Sequence, residues 1–248
     1  MNSTPAQDET RGHIVAMGGG GFSMEPDNPL LDDFILSLSP RQPARICFVP
    51  TASGDSAAYL VRFYRAFSGR AIPSDLTVFG LNTLPRQPAN TSELQSHIAA
   101  QDIIYVGGGN TANLLAIWRM HGLDCLLREA WQQGKILAGI SAGMICWFED
   151  GLTDSFGKLD RLGDGLGFIK GSACPHYDGE KARPEAYRKA IAAGMPAGYA
   201  ADDGVALHFR GTELAGIVSS RETASAYHLE LVDGQVRKTP LKTRYLGG

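Results

Sequence analysis

The chain has 248 residues, of which 44% are hydrophobic and 20% charged, with a net charge of −3. That length suits one large α/β domain burying roughly three-quarters of its unfolded surface, so no disulfide or metal staple is required. The charge balance argues against nucleic acid or an anionic membrane as the main partner, and no apolar run reaches the ~18 residues of a membrane span.

Residues 1–12 are polar and lack the apolar stretch of a signal peptide, so they are expected to form a flexible tail ahead of a single domain over 13–248. Cys47, Cys125, Cys146 and Cys174 stand far apart with no C-x-x-C. Cys47, Cys125 and Cys146 fall in apolar periodic segments, which predicts buried free thiols and a reducing, cytoplasmic compartment.

The first strand, His13–Met17, runs into four glycines at 18–21. A glycine loop after a first strand invites a dinucleotide reading, but Ser23 stands where the third glycine belongs, and Pro26 and Pro29 delay the helix. No G-K-[ST] follows, so a P-loop is excluded. The remaining reading is a flexible loop at the carboxyl edge of a sheet, with a helix over 29–37. A strand at 45–51 precedes a helix at 55–68, where Leu60, Phe63, Tyr64 and Phe67 have helical spacing. A third strand is expected at 76–81, and Ser92-Glu93-Leu94-Gln95 resembles a capping box. The strand at 102–106 ends in Gly107-Gly108-Gly109, and Asn110 or Thr111 can cap a helix at 112–120. Another helix at 122–133 stops at Gly134.

The most informative stretch is KILAGISAGMICWFE, residues 135–149. A strand, Ile136–Ile140, meets Gly139-x-Ser141-x-Gly143, the pattern of a nucleophile elbow, and an apolar run with helical spacing follows. A serine on a sharp strand-to-helix turn is strained, so its neighbours two residues away must be small. Taken alone, the pattern fits equally well a tight connection in which Ser141 merely caps a helix. Residues 150–167 read as irregular loop. A strand at 168–175 leads to His176, and a helix spans 184–194. From Tyr199 onward the pattern is β: 205–209, 214–219, 224–232 and 236–241. Alternating strands and helices imply a three-layer α/β/α fold with a mostly parallel sheet and a β-rich C-terminal part.

Acyl transfer by Ser141 needs two N–H donors for an oxyanion and a base held by a carboxylate. Ala142 N–H is one natural donor, and Gly108 or Gly109 N–H the other. Of the six histidines, His176 ends a strand and opens a loop, where catalytic side chains concentrate. Metal catalysis is disfavoured because there is no H-E-x-x-H and His176-x-Asp178 is too short a pair; no cofactor is expected.

GGGNTANLL (107–115), GISAGM (139–144), PHYDGEKARPEAYR (175–188) and ADDGVAL (201–207), in this order, resemble the peptidase E (aspartyl dipeptidase) and cyanophycinase family of serine peptidases. The resemblance implies the class I glutamine amidotransferase-like fold, a metal-independent exopeptidase for short peptides with N-terminal Asp, and a homodimer. It makes Ser141 the nucleophile and His176 the base, with Gly108, Gly109 and Ala142 at the oxyanion hole. Arg183 matches an arginine that holds a substrate carboxylate, and Asn110 is grouped with it as a substrate-binding residue. The acid is Asp154 or Asp203, and spacing does not choose. Three alternatives remain: a cyanophycinase-like peptidase for β-linked Asp peptides, an α/β-hydrolase-type esterase using Ser141, Asp202 or Asp203, and His228, and a binding module without turnover. A glutaminase would want cysteine at Ser141.

Overall fold

A computed structural model describes residues 12–78 and 91–248, with the side chains of residues 91 and 92 left undescribed. Residues 1–11 of the expected tail at 1–12, the end of the expected third strand and the Ser92 side chain of the expected capping box lie outside the described set. In chain order the first elements are β1 (His13–Met17), α1 (Gly21–Met24), α2 (Leu30–Ser37) and β2 (Arg45–Val49). A 3-10 turn, Thr51–Ser53, then leads to α3 (Ala57–Phe67), β3 (Ile72–Asp75), α4 (Thr91–Ala99) and β4 (Ile103–Val106). Next come α5 (Thr111–His121), α6 (Leu123–Gln132), β5 (Ile136–Ile140) and the short α7 (Ala142–Ile145). The rest is mostly strand: β6 (Phe148–Thr153), β7 (Asp160–Arg161), β8 (Ile169–Cys174), then α8 (Arg183–Ala192), then β9 (Gly198–Ala201) and β10 (Val205–Arg210). The chain closes with β11 (Glu213–Ser219), β12 (Ala226–Val232), β13 (Gln235–Leu241) and β14 (Arg244–Tyr245).

Eight strands form the main sheet in the order β14-β11-β10-β1-β5-β4-β2-β3, and a second sheet runs β13-β12-β9-β8-β6-β7. The main sheet is parallel from β1 to β3, and β10 joins β1 antiparallel. Its central strands are apolar on both faces, as burial on both sides demands. Ile14 and Ala16 enter one core cluster while Val15 and Met17 enter the other. The first cluster packs α4–α7 and the inner face of the second sheet against the main sheet; the second packs α1–α3. α8 covers the outer face of the second sheet through Tyr187 and Ile191.

Four local expectations are corrected. The third strand is Ile72–Asp75, because that segment aligns with β2 through Arg45↔Ile72 to Phe48↔Asp75, and residues 76–78 of the strand expected at 76–81 follow it. Its Pro73 is tolerated on an edge strand, where one face of the ladder is unpaired. The helix after the elbow ends at Ile145, and the stretch read as loop from 150 begins inside β6, which pairs with β8 and β7. The turns that look loop-like there are held by Asp150, whose Oδ1 accepts from Gly151 N and Gly163 N at 2.8 Å each and whose Oδ2 pairs with Arg161. In α3 the fully buried face is Tyr59, Phe63 and Phe67 (i, i+4, i+8), leaving Leu60 and Tyr64 half-buried. Of the thiols expected to be buried, Cys47 and Cys146 are buried and Cys125 is exposed; Cys174 is buried as well.

Parallel registers align Met17 with Ile140 and Val106 with Gly139. The chain therefore leaves β1, β4 and β5 at one edge, the carboxyl edge where open α/β sheets place their sites.

Candidate active site

Ser141 leaves β5 with φ 58° and ψ −111°, a left-handed conformation that costs a non-glycine residue of order 1–3 kcal/mol. The turn is tight enough that a Cβ on Gly139 would lie 2.2 Å from Gly143 O, and one on Gly143 would lie 2.5 Å from Val106 O. The G-x-S-x-G spacing is thus required by contact. Met144 N and Ile145 N donate to Ser141 O at 2.8 and 3.0 Å, while the first N–H groups of α7, at Ala142 and Gly143, have no intrahelical acceptor. Gly108 turns its bare face to the serine: a Cβ there would lie 3.3 Å from Ser141 Cβ and 3.8 Å from its Oγ.

His176 follows β8 and also has a positive φ of 52°. Its Nδ1 lies 2.6 Å from Asp203 Oδ1, and both side chains are largely buried. A carboxylate at Nδ1 fixes the tautomer that leaves Nε2 free to accept a proton. Asp203 follows β9, and its N–H donates to Asp178 Oδ1 at 2.7 Å.

The three groups hang from one strand end. Ser141 N donates to Met17 O (3.0 Å), His176 N to Gly18 O (3.2 Å) and Gly204 N to Gly19 O (3.1 Å). Only glycine permits this approach: a Cβ on Gly18 would lie 2.5 Å from the Ala201 and Asp202 carbonyls, and one on Gly19 would lie 2.0 Å from Asp203 Oδ1. The loop at 18–21, read from sequence as flexible, is buried and packed and passes directly into α1. Its glycines serve close packing.

The other sequence candidates fall elsewhere. Asp154 is exposed on a turn where its backbone carbonyl accepts from Gly157 N, and its neighbours Thr153 and Ser155 tie the turn to the start of α5. The carboxylate paired with His176 is that of Asp203. Asp202 Oδ2 accepts from Ser225 N at 2.9 Å, and burial pushes its pKa up. His228, the base of the esterase alternative, lies mid-strand in β12 with its ring edge-on to Tyr199. Asn110 caps α5, accepting from Asn113 N (2.9 Å) and donating to Ser155 O (3.0 Å), so both ends of its amide are engaged.

Arg183 departs most from expectation. Its side chain is 3% exposed, with Nε and Nη2 donating to Glu180 at 2.8 and 3.2 Å and Nη1 to Leu152 O at 3.2 Å. The guanidinium is enclosed beside Cys174, whose thiol burial pushes up to about 12, instead of facing the site. Position in the motif did not reveal on which side of the chain the arginine would fold.

Sequence reasoning missed Tyr59 and Ser23. Tyr59 is buried; its hydroxyl donates to Ser23 Oγ at 2.7 Å and accepts from Gly108 N at 3.3 Å. Among the described residues no group of three or more His, Cys, Asp or Glu side chains is placed to hold a metal. No helix among them is long and apolar enough to cross a membrane.

A strained serine at the carboxyl edge of a parallel sheet, beside a His–Asp pair, defines an α/β enzyme with a nucleophile elbow. Residues 14–217 match the model of peptidase family S51, and the chain belongs to that family: it is a peptidase. It is 53% identical over 236 residues to the uncharacterized peptidase YgaJ of Bacillus subtilis (strain 168), covering 94% of this chain and 99% of that protein. A second relative, the uncharacterized peptidase Lmo0363 of Listeria monocytogenes serovar 1/2a, is 31% identical over 158 residues, 60% of this chain and 72% of that one. The fold is shared with the crystal structure of a peptidase from an acI-B1 Actinobacterium, with TM-score 0.63, 18% identity, and coverage of 94% of this chain and 98% of that one. It is shared as well with that of a putative peptidase E protein from Listeria monocytogenes EGD-e, with TM-score 0.55, 17% identity and coverage of 93% and 99%.

Proposed function

We propose that the chain is a serine exopeptidase for short peptides with an N-terminal Asp, acting through an acyl-enzyme on Ser141. The observation that carries the mechanism is the convergence of Ser141, His176 and Gly204, the residue after Asp203, on three successive carbonyls at the end of β1, with Asp203 Oδ1 on His176 Nδ1. Ser141 Oγ attacks the scissile carbonyl while His176 Nε2 takes its proton, and Asp203 stabilises the imidazolium. Ala142 N–H and an N–H of the 107–109 loop receive the oxyanion. Collapse expels the amine with a proton from His176, and water then repeats the sequence on the ester.

The substrate class rests on the resemblance of the four motifs to peptidase E and on the peptidase E likeness of the fold. With Arg183 enclosed, a cation for the aspartate side chain must come from another wall. The exposed Arg62 guanidinium lies over the Tyr59 ring, 4.8 Å from its centroid, on the side of the site that Tyr59 shares with Gly108. The test is kcat/KM for Asp-Leu and Ala-Leu dipeptides. Wild type should prefer Asp-Leu, and Ser141→Ala should lose hydrolysis of it by several orders of magnitude while staying folded. Arg62→Met should lower the Asp-Leu rate selectively. Equal rates on both peptides in wild type would remove the aspartate reading and leave the serine mechanism standing.

A further inference from the structure

The two glycine loops at the site edge are joined by a side-chain bridge that the acyl-transfer scheme does not use. Ser23, in α1 just beyond the 18–21 loop, accepts from the Tyr59 hydroxyl at 2.7 Å, and that hydroxyl accepts from Gly108 N at 3.3 Å. Tyr59 is 5% exposed and its ring is packed by Phe22 and Phe48, with centroids 5.6 and 4.9 Å away. A Cβ on Gly107 would lie 3.0 Å from Tyr59 Cε1, so the ring presses on the loop as well. On the far side of the same loop, Asn110 N donates to Ala52 O at 2.8 Å, and a Cβ on Gly109 would meet Ala52 O at 2.2 Å. The loop is clamped at Gly108 by a side chain and at Asn110 by backbone. Between the clamps stands the Gly109 N–H, exposed and without a described acceptor.

We infer that Tyr59 is a positioning residue for acyl transfer: its hydroxyl, held by Ser23, pins Gly108 so that Gly109 N–H, with Ala142 N–H, faces the oxyanion. Burial raises the Tyr59 pKa, so the hydroxyl keeps its proton and both bonds persist across the working pH range. An oxyanion donor is effective because it is already in place, and a clamp on the adjacent peptide supplies that order. The opposite arrangement is a tyrosine that occupies Gly108 N–H until substrate displaces it. Under that arrangement, removing the hydroxyl would free a donor and leave the rate unchanged or higher.

The inference rests on the serine reading, so its test starts from a probe of the serine itself. A fluorophosphonate forms an Oγ–P bond, releases fluoride and passes the serine proton to His176, and needs an oxyanion hole but no peptide specificity. The second-order rate of labelling, with the site located by peptide mass, is measured for wild type, Ser141→Ala, Tyr59→Phe and Ser23→Ala. Tyr59→Phe keeps the ring and its packing and should label roughly tenfold to a hundredfold more slowly, short of the loss from deleting an oxyanion donor outright. On Asp-Leu the same variant should lower kcat with KM unchanged. Ser23→Ala should shift both readings in the same direction by less, and it carries the test if Tyr59→Phe does not fold. A labelling rate in these variants equal to or above wild type would overturn the inference while Ser141 labelling in wild type upheld the serine reading. No labelling at Ser141 in wild type would overturn both.

Discussion

Asp203 is fixed from three sides. His176 engages Oδ1, Asp178 holds the N–H, and Gly19 and Gly179 both approach so closely that a Cβ on either would fall within 2.5 Å of the carboxylate. That confinement sets the residue-scale predictions. Asp203→Asn should keep the fold and lower kcat by roughly four orders of magnitude, since an amide at Nδ1 favours the wrong tautomer. Asp154→Asn, on its exposed turn, should stay within about twofold of wild type on the same peptide assay. Arg183→Met should cost stability of about 1–3 kcal/mol in a denaturant titration, by stranding Leu152 O, and leave the Asp-Leu to Ala-Leu ratio intact. A changed ratio would return Arg183 to the substrate. At this scale the placement of Ser141 and His176 just past the ends of strands was legible, because each follows an apolar run. The sequence could not choose between Asp154 and Asp203, or foresee the burial of Arg183, because spacing along the chain does not say toward which layer a loop folds.

The element with the widest reach is the glycine segment after β1. Its carbonyls and that of Met17 take up the backbone N–H groups of Ser141, of His176 and of Gly204, the residue after Asp203. Gly19→Ala should therefore place a methyl against Asp203 Oδ1 and abolish most of the activity, with a far smaller effect on the melting temperature than on kcat. Activity near wild type would mean that the loop moves freely after all. A glycine run in a sequence is read through what it could bind; here it is explained by what it touches, three elements distant by more than a hundred residues. The same lack of long-range information hid β6. Glu149-Asp150-Gly151 looks like a turn, but its polar groups are absorbed by Gly163, Gly171 and Arg161, and the segment is free to pair.

For the whole molecule, two buried titrations oppose each other. His208 in β10 stacks on His13 at 5.0 Å, with 2.8 Å between ring nitrogens, and burial, then His13 and Arg210, push its pKa down to about 4. Its unfolded form binds a proton below about 6.5, so this group removes stability as pH falls through that range toward 4. Asp32, in the first turn of α2, is raised to about 7, chiefly by burial. Folded Asp32 keeps a proton that the unfolded chain releases, so this group removes stability as pH rises from about 4 to 7. The two slopes have opposite signs over nearly the same window, and the wild-type melting temperature should vary little between pH 4.5 and pH 6.5 on their account. On acidification His208→Phe should become more stable and Asp32→Asn less stable. Parallel shifts in both variants would show that neither group titrates as its surroundings imply.

The antiparallel strand β10 also gives catalysis a place in time. β1 is made well before β10, and its open edge waits for that strand, whose approach carries Asp203 to His176. A nascent chain that has passed residue 190 already holds its serine and histidine, yet the imidazole has no partner and the central strand has no neighbour on that side. On the proposed mechanism, activity therefore begins only when β10 closes on β1. A chain cut between α8 and β9, where Gly194 is exposed, should give two silent pieces that recover peptidase activity only when mixed.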